Sequence, residues 1–381
     1  MKKGRVFFVF FAVLLVLLLF LGFYSLVKNP SSLHPLDVFV GVDVAYDDVE
    51  GIKSLVDEIS SYTNLLVIGS TGITYNVTKV DETCQYVYDK GLSFIIYTEM
   101  PPRTQWLEDA KRRWGDQFLG LYAFDEPGGR QLDLYEYRPV WEADNHTDAA
   151  NQFVSMTNMT LDWVTWNYTS SLNFPLFTSD YALYWFDYKA GYDVVLAQFG
   201  WNYSRELNVA LCRGAATVQN KSWGAIITWT YCDTPYIESG EELYNDMILA
   251  YKNGAEYILI FDTNENYTRG ILKEEHLDAL KQFWQYAHDN PRTSNTINDR
   301  VAYVLPKDYA YGFRGPNDKI WGLWEADAFS YELCTNLYSL MEQEGTKLDI
   351  IYEDGMEPNV TKVYNKFVFW NGTVTTNKNQ P

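Results

Sequence analysis

Residues 36–69 read LDVFVGVDVAYDDVEGIKSLVDEISSYTNLLVIG, and this stretch decides the fold. A β-rich run at 38–45 is followed by a helical-period segment at 49–61 and a second β-rich run at 65–69. Two short apolar strands joined by an amphipathic helix form the unit from which parallel sheets are built.

The unit recurs outward to residue 290. Strands are expected at 38–45, 65–69, 92–97, 118–124, 174–178, 193–198, 223–230 and 256–262. Helices are expected at 49–61, 79–90, 104–114, 149–170, 181–190, 204–219, 240–253 and 273–289, with Gly91 and Gly254 just past two of them, where a left-handed C-cap is wanted. Eight units over 36–290, 255 residues, match the roughly 250 residues of a (β/α)8 TIM barrel. A doubly wound sheet would also alternate, but it does not require eight units, and both the GxGxxG and GxxxxGK[ST] phosphate loops are absent.

The fold class expected is therefore α/β: a barrel with a small C-terminal α/β domain and one N-terminal transmembrane helix. Residues 1–5 form a cytoplasmic tip, 6–27 the transmembrane anchor and 28–35 a linker. The barrel at 36–290 is followed by a linker at 291–299, the small domain at 300–373 and a frayed tail at 374–381. So few residues bury little core alone, so the small domain is expected to pack on the barrel. Within it, Trp321 and Trp324 either cap the barrel mouth or staple the two units together, and the staple is the favoured reading.

The run at 6–27 is 22 uncharged, mostly apolar residues, about 33 Å as a helix, which spans a bilayer core. Lys2, Lys3 and Arg5 precede it, so the positive-inside rule puts the folded part outside the cytoplasm, on a single-pass protein of the cell membrane. No convincing small-x-small cleavage site follows the run. Nine Asn-x-Ser/Thr sequons, at Asn76, Asn145, Asn158, Asn167, Asn202, Asn220, Asn266, Asn359 and Asn371, agree with export and glycosylation. The four cysteines admit up to two disulfides in such a compartment, or buried thiols.

Of 381 residues, 30 are Lys or Arg and 50 are Asp or Glu, a net charge of -20 that repels nucleic-acid phosphates, so no nucleic-acid partner is expected. His34, His146, His276 and His288 are scattered, with neither an HExxH nor a CxxC pattern, so no bound metal and no cofactor are expected. Aromatic residues make up 17% of the chain, more than a core of this size requires, and some rings are expected to line a cleft.

In a barrel of this kind the carboxyl ends of the strands face the active site. There the sequence places Asp43 and Tyr46, Ser70, Glu99, Asp125 and Glu126, Asp180 and Tyr181, Gln198 and Trp201, Trp229 and Tyr231, and Asp262 and Asn264. Converging carboxylates repel one another, which keeps one protonated near neutral pH as a general acid requires, and aromatic faces suit sugar rings. A glycosidic bond needs such an acid and an anion to stabilise the oxocarbenium-like centre.

The segment Gly120-Leu121-Tyr122-Ala123-Phe124-Asp125-Glu126-Pro127-Gly128 resembles the fourth-strand end of barrel glycoside hydrolases, where a Glu before Pro is the general acid/base. It also resembles hexosaminidase-type families, in which an adjacent Asp orients the substrate's 2-acetamido group as internal nucleophile. The resemblance implies Glu126 as acid/base and Asp125 as its polarising partner. One departure concerns the seventh strand, where retaining enzymes keep a nucleophilic Glu: here residues 226–231 hold no carboxylate. Glu238 lies further along that loop, and Glu99 is the next candidate for a second catalytic carboxylate. The small domain is similar to the flavodoxin-like accessory domains of some barrel glycosidases, without a phosphate loop.

The expectation is a membrane-anchored, extracytoplasmic glycoside hydrolase acting on a carbohydrate. Asp43, Tyr46, Asp180, Gln198, Trp201, Trp229, Tyr231 and Asp262 would bind substrate beside catalytic Glu126, Asp125 and Glu99. A noncatalytic glycan-binding or structural barrel of the cell envelope is the alternative. Peptide mass spectrometry of the chain from its native cells should find N-linked glycan on these sequons, and bare asparagines throughout would remove that argument for export.

Overall fold

The computed structural model describes residues 36–166, 172–292, 300–356 and 360–376. The apolar run at 6–27 lies outside them, and among the described residues no helix is long and apolar enough to cross a membrane.

Eight parallel strands close into a barrel in chain order: β1 Phe39–Val44, β2 Leu65–Ile68, β3 Ser93–Thr98, β4 Phe118–Ala123, β5 Leu176–Asp180, β6 Val194–Phe199, β7 Ser222–Ile227 and β8 Tyr257–Asp262. Closure is the β1–β8 ladder, with Gly41 opposite Leu259 and Val44 opposite Asp262. The helices between and after them are α1 Val49–Ile59, α2 Thr71–Thr74, α3 Val77–Asp89, α4 Thr104–Trp114, α5 Pro127–Asp133, α6 His146–Thr165, α7 Tyr184–Ala190, α8 Arg205–Gln219, α9 Gly240–Lys252 and α10 Glu274–Asp289.

Side-chain alternation divides the apolar residues between two cores. Leu65, Val67, Ile95, Tyr122, Phe177 and Leu196 fill the barrel interior, while Leu66, Ile68, Phe94 and Ile96 face the helices. A strand buried on both faces is apolar at every position, which is why these runs were legible. Between β3 and β4 the register slips by one, from Phe94–Phe118 to Ile95–Gly120. Gly120 has φ 153°, and a Cβ there would sit 2.3 Å from the Pro175 carbonyl oxygen, so only glycine fits this bulge.

Within the barrel the structure departs from the expectations at two places. β7 ends at Ile227, earlier than expected, which puts Trp229 and Tyr231 in a loop. Two short helices, α2 and α5, were not anticipated because four and seven residues are too few to show a period. Of the two readings open for the cysteines, the structure has the thiols: all four are free, with Cys84, Cys212 and Cys334 buried and Cys232 exposed.

A second sheet is made by β9 Arg300–Leu305, β10 Leu348–Tyr352, β11 Tyr364–Phe369 and β12 Val374–Thr376, with helix α11 Ala328–Glu344 between β9 and β10. Its order is β10-β9-β11-β12, the first three parallel and β12 antiparallel to β11. Val374–Thr376, assigned to the tail from sequence, is thus an edge strand, because a turn at residues 371–373 lets it fold back on β11.

Two junctions show how this unit packs on the barrel. Trp321 is fully buried, its carbonyl accepts from Gln131 at 2.8 Å, and its ring lies 4.7 Å from Phe186 and 5.7 Å from Phe153. It therefore acts as a staple rather than a cap on the mouth. Arg213 on α8 donates to Asp349 on β10 at 2.7 Å and to the carbonyls of Thr346 and Leu348, while Arg300 and Tyr364 complete Asp349 at 2.9 Å each. Gly214 beside it admits the β10 backbone, since a Cβ would meet the Ile350 oxygen at 2.4 Å.

Removing one partner of a buried, hydrogen-bonded ion pair leaves a charge in low dielectric. Arg213→Ala should therefore destabilise the fold by about 3–5 kcal/mol, whereas an exposed-pair control, Arg112→Ala, should cost less than about 1 kcal/mol. Urea unfolding of the two variants checks this ordering.

Candidate active site

A cavity of about 640 Å³ opens at the carboxyl ends of the barrel strands. Its chemistry centres on the turn that leaves β4. Phe124 and Glu126 both adopt left-handed backbone, φ 59° and 54°, which costs a non-glycine residue about 1–3 kcal/mol each and persists only where surroundings enforce it. The enforcement is visible. The Glu126 N–H donates to the Ser179 carbonyl at 3.0 Å, and Pro127 sits in the first turn of α5, where its missing N–H loses nothing.

Glu126 is the N-cap of α5, yet its carboxyl makes no capping bond. An N-cap side chain ordinarily bonds to the first free amides of its helix. Here Asp180, from the end of β5, accepts those amides instead: Gly128 N–H at 2.6 Å and Gly129 N–H at 2.9 Å, together with Tyr181 and Ala182 N–H at 2.8 and 3.0 Å. Both glycines are required, because a Cβ at Gly128 would lie 2.5 Å from the Ala182 oxygen and one at Gly129 2.3 Å from the Tyr181 ring. The capping duty having passed to Asp180, the Glu126 carboxyl is released into the cavity.

In the cavity Glu126 and Asp125 belong to one network. Gln198 donates both amide hydrogens, to Glu126 at 2.7 Å and to the Ser179 hydroxyl at 2.8 Å. The hydroxyls of Ser179 and Tyr122 lie 2.8 and 2.5 Å from the same Asp125 oxygen. Burial, then the charge of Asp125, pushes Glu126 up to about 7 against the opposing Gln198 bond. Asp125 is also raised by burial, but its two hydroxyl donors and the positive charge of Arg130 hold it back. The two carboxyls thus stand in different surroundings, Glu126 raised to about 7 and Asp125 raised against three opposing partners.

Asp43, 3% exposed, lines the same cavity with its Oδ1 unpartnered, and burial followed by the charge of Asp125 raises it well above the usual carboxylate range. Glu99 lines it too and accepts from Tyr97 at 2.7 Å. Trp201 and Trp229 form part of the wall, joined by a 2.9 Å bond from the Trp201 N–H to the Trp229 carbonyl. Arg205 fixes the Trp201 loop through the carbonyls of Gly200, Trp201 and Tyr203.

Seven of the residues expected at the site therefore meet here: Asp43, Glu99, Asp125, Glu126, Gln198, Trp201 and Trp229. Four do not. Asp180 is fully buried as the cap of α5, and its oxygens are spent on backbone amides. Tyr46 is also fully buried and donates to Asp262, which burial pushes up to about 6, so both are internal structure and not substrate contacts. Tyr231 is 47% exposed in a shallow trough beyond Trp201, because β7 stops four residues before it. Glu238 does not return to the cavity: it is buried against Arg205 at 3.0 Å, and burial, then Asp246, pushes it up to about 8.

Tyr97, Tyr122, Ser179 and Tyr267 also line the cavity and were missed. Tyr97 and Tyr122 stand at inward positions of β3 and β4, which strand alternation could have found, whereas Tyr267 sits on a loop with no periodic signal. Among the described residues, no group of three His, Cys, Asp or Glu side chains is placed to hold a metal ion.

No protein-family model matches the chain, and no curated protein matches it. Among solved structures, α-L-fucosidase isoenzyme 2 from Paenibacillus thiaminolyticus aligns with 83% of this chain and 58% of its own at 8% identity, TM-score 0.47. The catalytic domain of β-amylase from Paenibacillus polymyxa aligns over 66% and 99% at 9% identity, TM-score 0.45. Orotidine 5'-monophosphate decarboxylase from Methanocaldococcus jannaschii aligns over 65% and 97% at 8% identity, TM-score 0.36. Likenesses this distant, to enzymes of unrelated chemistry, do not bear on activity.

Glu126 ionises near 4.5 when unfolded but near 7 in the fold, so its contribution to stability is full below about pH 4.5 and is lost as pH rises to about 7. Glu126→Gln should abolish that loss and stabilise the protein at pH 8 by about 3 kcal/mol. Urea unfolding of parent and variant at pH 5 and pH 8 checks it; equal losses in both would remove the assigned titration.

Proposed function

We propose that the cavity hydrolyses a glycosidic bond, with Glu126 as general acid. The observation that carries this reading is the Glu126 carboxyl, released from capping and raised to about 7 by burial, beside a hydrogen-bonded Asp125 in a cavity walled by Trp201 and Trp229. Glu126 gives its proton to the glycosidic oxygen as the bond from that oxygen to the anomeric carbon breaks. Asp125 stabilises the positive charge that develops, and Gln198 positions the Glu126 carboxyl. Water then supplies the hydroxyl to the anomeric carbon and returns its proton to Glu126. Glu99, Asp43 and Asp47 are the further carboxyls that line the cavity.

The same reading places the barrel outside the cytoplasm on a membrane anchor at residues 6–27. Its support is the apolar run itself and the exposure of Asn76, Asn145, Asn158, Asn202, Asn220, Asn266 and Asn371, every sequon asparagine among the described residues. A noncatalytic glycan-binding barrel is the second reading. It is favoured by the absence of a carboxylate from the β7 side of the cavity and by Asn202 and Asn266 standing next to the cavity residues Trp201 and Tyr267.

Loss of a general acid costs about 10²- to 10⁴-fold. Against a panel of 4-nitrophenyl and natural glycosides, the parent should hydrolyse at least one, with an alkaline limb near pH 7. Glu126→Gln should lose that factor in kcat together with the limb. Hydrolysis at the parent rate by the variant would overturn the assignment, and glycan binding without turnover by the parent would establish the second reading.

A further inference from the structure

Asp125 also forms part of the wall of a second, smaller cavity of about 220 Å³, which Arg130, Arg138, Thr157, Thr160 and Tyr192 help to line. Its volume corresponds to roughly seven waters at about 30 Å³ each. Pockets for whole small molecules start at about 300 Å³, so this one suits a substituent or a small ion.

The polar groups in its wall are mostly donors. Arg130 forms no ion pair within 4 Å among the described residues, although the chain carries 50 acidic residues against 30 basic ones. Its charge is felt by Asp125 and Glu126, lowering both. Arg138 supplies a second guanidinium. Thr157, 5% exposed in the middle of α6, has a hydroxyl with no hydrogen-bond partner, whereas the neighbouring Thr160 hydroxyl is satisfied by the Met156 carbonyl at 3.0 Å. A buried hydroxyl left unpaired costs about 1–3 kcal/mol, so Thr157 is a donor awaiting an acceptor. The hydroxyl of Tyr192 is already spent on the Ala123 carbonyl at 2.8 Å. The one carboxyl in the wall, Asp125, has Oδ1 occupied by Tyr122 and Ser179.

Two guanidiniums and a free hydroxyl around a small, partly open cavity match the planar or tetrahedral oxygens of an oxyanion. We propose that this cavity is an oxyanion-binding site, taking a carboxylate or sulfate group through Arg130, Arg138 and Thr157. The group arrives either as the charged substituent of a sugar or as a free inorganic anion.

Isothermal titration calorimetry of the full-length chain in detergent, at fixed ionic strength, tests it with sodium glucuronate, sodium sulfate and glucose. Both anions should give saturable heat, and glucose none that an anion competes away. Thr157→Val keeps the side-chain shape and should weaken both anions about fivefold; Arg130→Gln should weaken them about tenfold or more. Thr157→Val carries the test if Arg130→Gln fails to fold. Absence of saturable heat from both anions, or parent-like binding by a folded Thr157→Val chain, would overturn the proposal.

Two arms separate the sources. If Thr157→Val loses hydrolysis of uronic-acid glycosides but not of neutral ones, the site takes a sugar substituent. If it weakens sulfate while all glycosides are unaffected, the site takes a free anion. Glu126→Gln should still bind glucuronate, so loss of the hydrolytic reading would leave this site standing, and the reverse holds as well.

Discussion

The arrangement depends on one carboxylate placed where another would be expected. Asp180, at the end of β5, accepts the first free amides of α5, a helix that belongs to the neighbouring β4 unit. That bond set holds the Phe124–Glu126 turn in left-handed backbone and frees Glu126 from capping. Two N–H donors from the start of α5 and two from the loop after β5 satisfy Asp180. The adjoining Asp187 is fully buried with neither oxygen partnered, and burial, then Asp180, raises it far above the usual range. Burial, then the charge of Glu126, raises Asp180 as well, against its backbone N–H donors, so two dry carboxyls are neighbours here.

The same electrostatics run through the barrel mouth. A chain with a net charge of -20 gathers Asp43, Asp125, Glu126 and Asp262 at the ends of adjacent or facing strands. For each of them burial is the first cause of the upward shift, ahead of any neighbouring charge. The hydroxyls of Tyr122 and Ser179 and the amide of Gln198 then set the order in which protons leave. Strain and uncompensated burial at this end destabilise the fold, and they are offset elsewhere, in the two apolar cores and the Arg213–Asp349 junction.

The eight-unit barrel was legible because its strands are buried on both faces. Leu65–Ile68 is apolar at every position, and the intervening helices carry a clear period. Seven of the eleven site residues were legible through position alone, since a strand end in a closed barrel faces the mouth. Asp180, Tyr46 and Asp262 satisfied the same positional rule and turned inward, toward backbone amides or one another. The inward position of Tyr122 was open to strand alternation, but its bond to Ser179 across β4 and β5 was not, because no local pattern carries it.

What the sequence alone determined was the alternation of strands and helices, the acidic and aromatic character of the strand ends, and the Asp125-Glu126-Pro127 segment. These follow from local propensity and from burial, both written into neighbouring residues. Only the tertiary structure decided which carboxyl is raised by burial, which is spent as a cap, and that Arg130 stands beside a cavity without an ion pair among the described residues. Those properties depend on desolvation and on partners 50 or more residues away, such as Asp180 with Gly129, and no reading along the chain contains such distances.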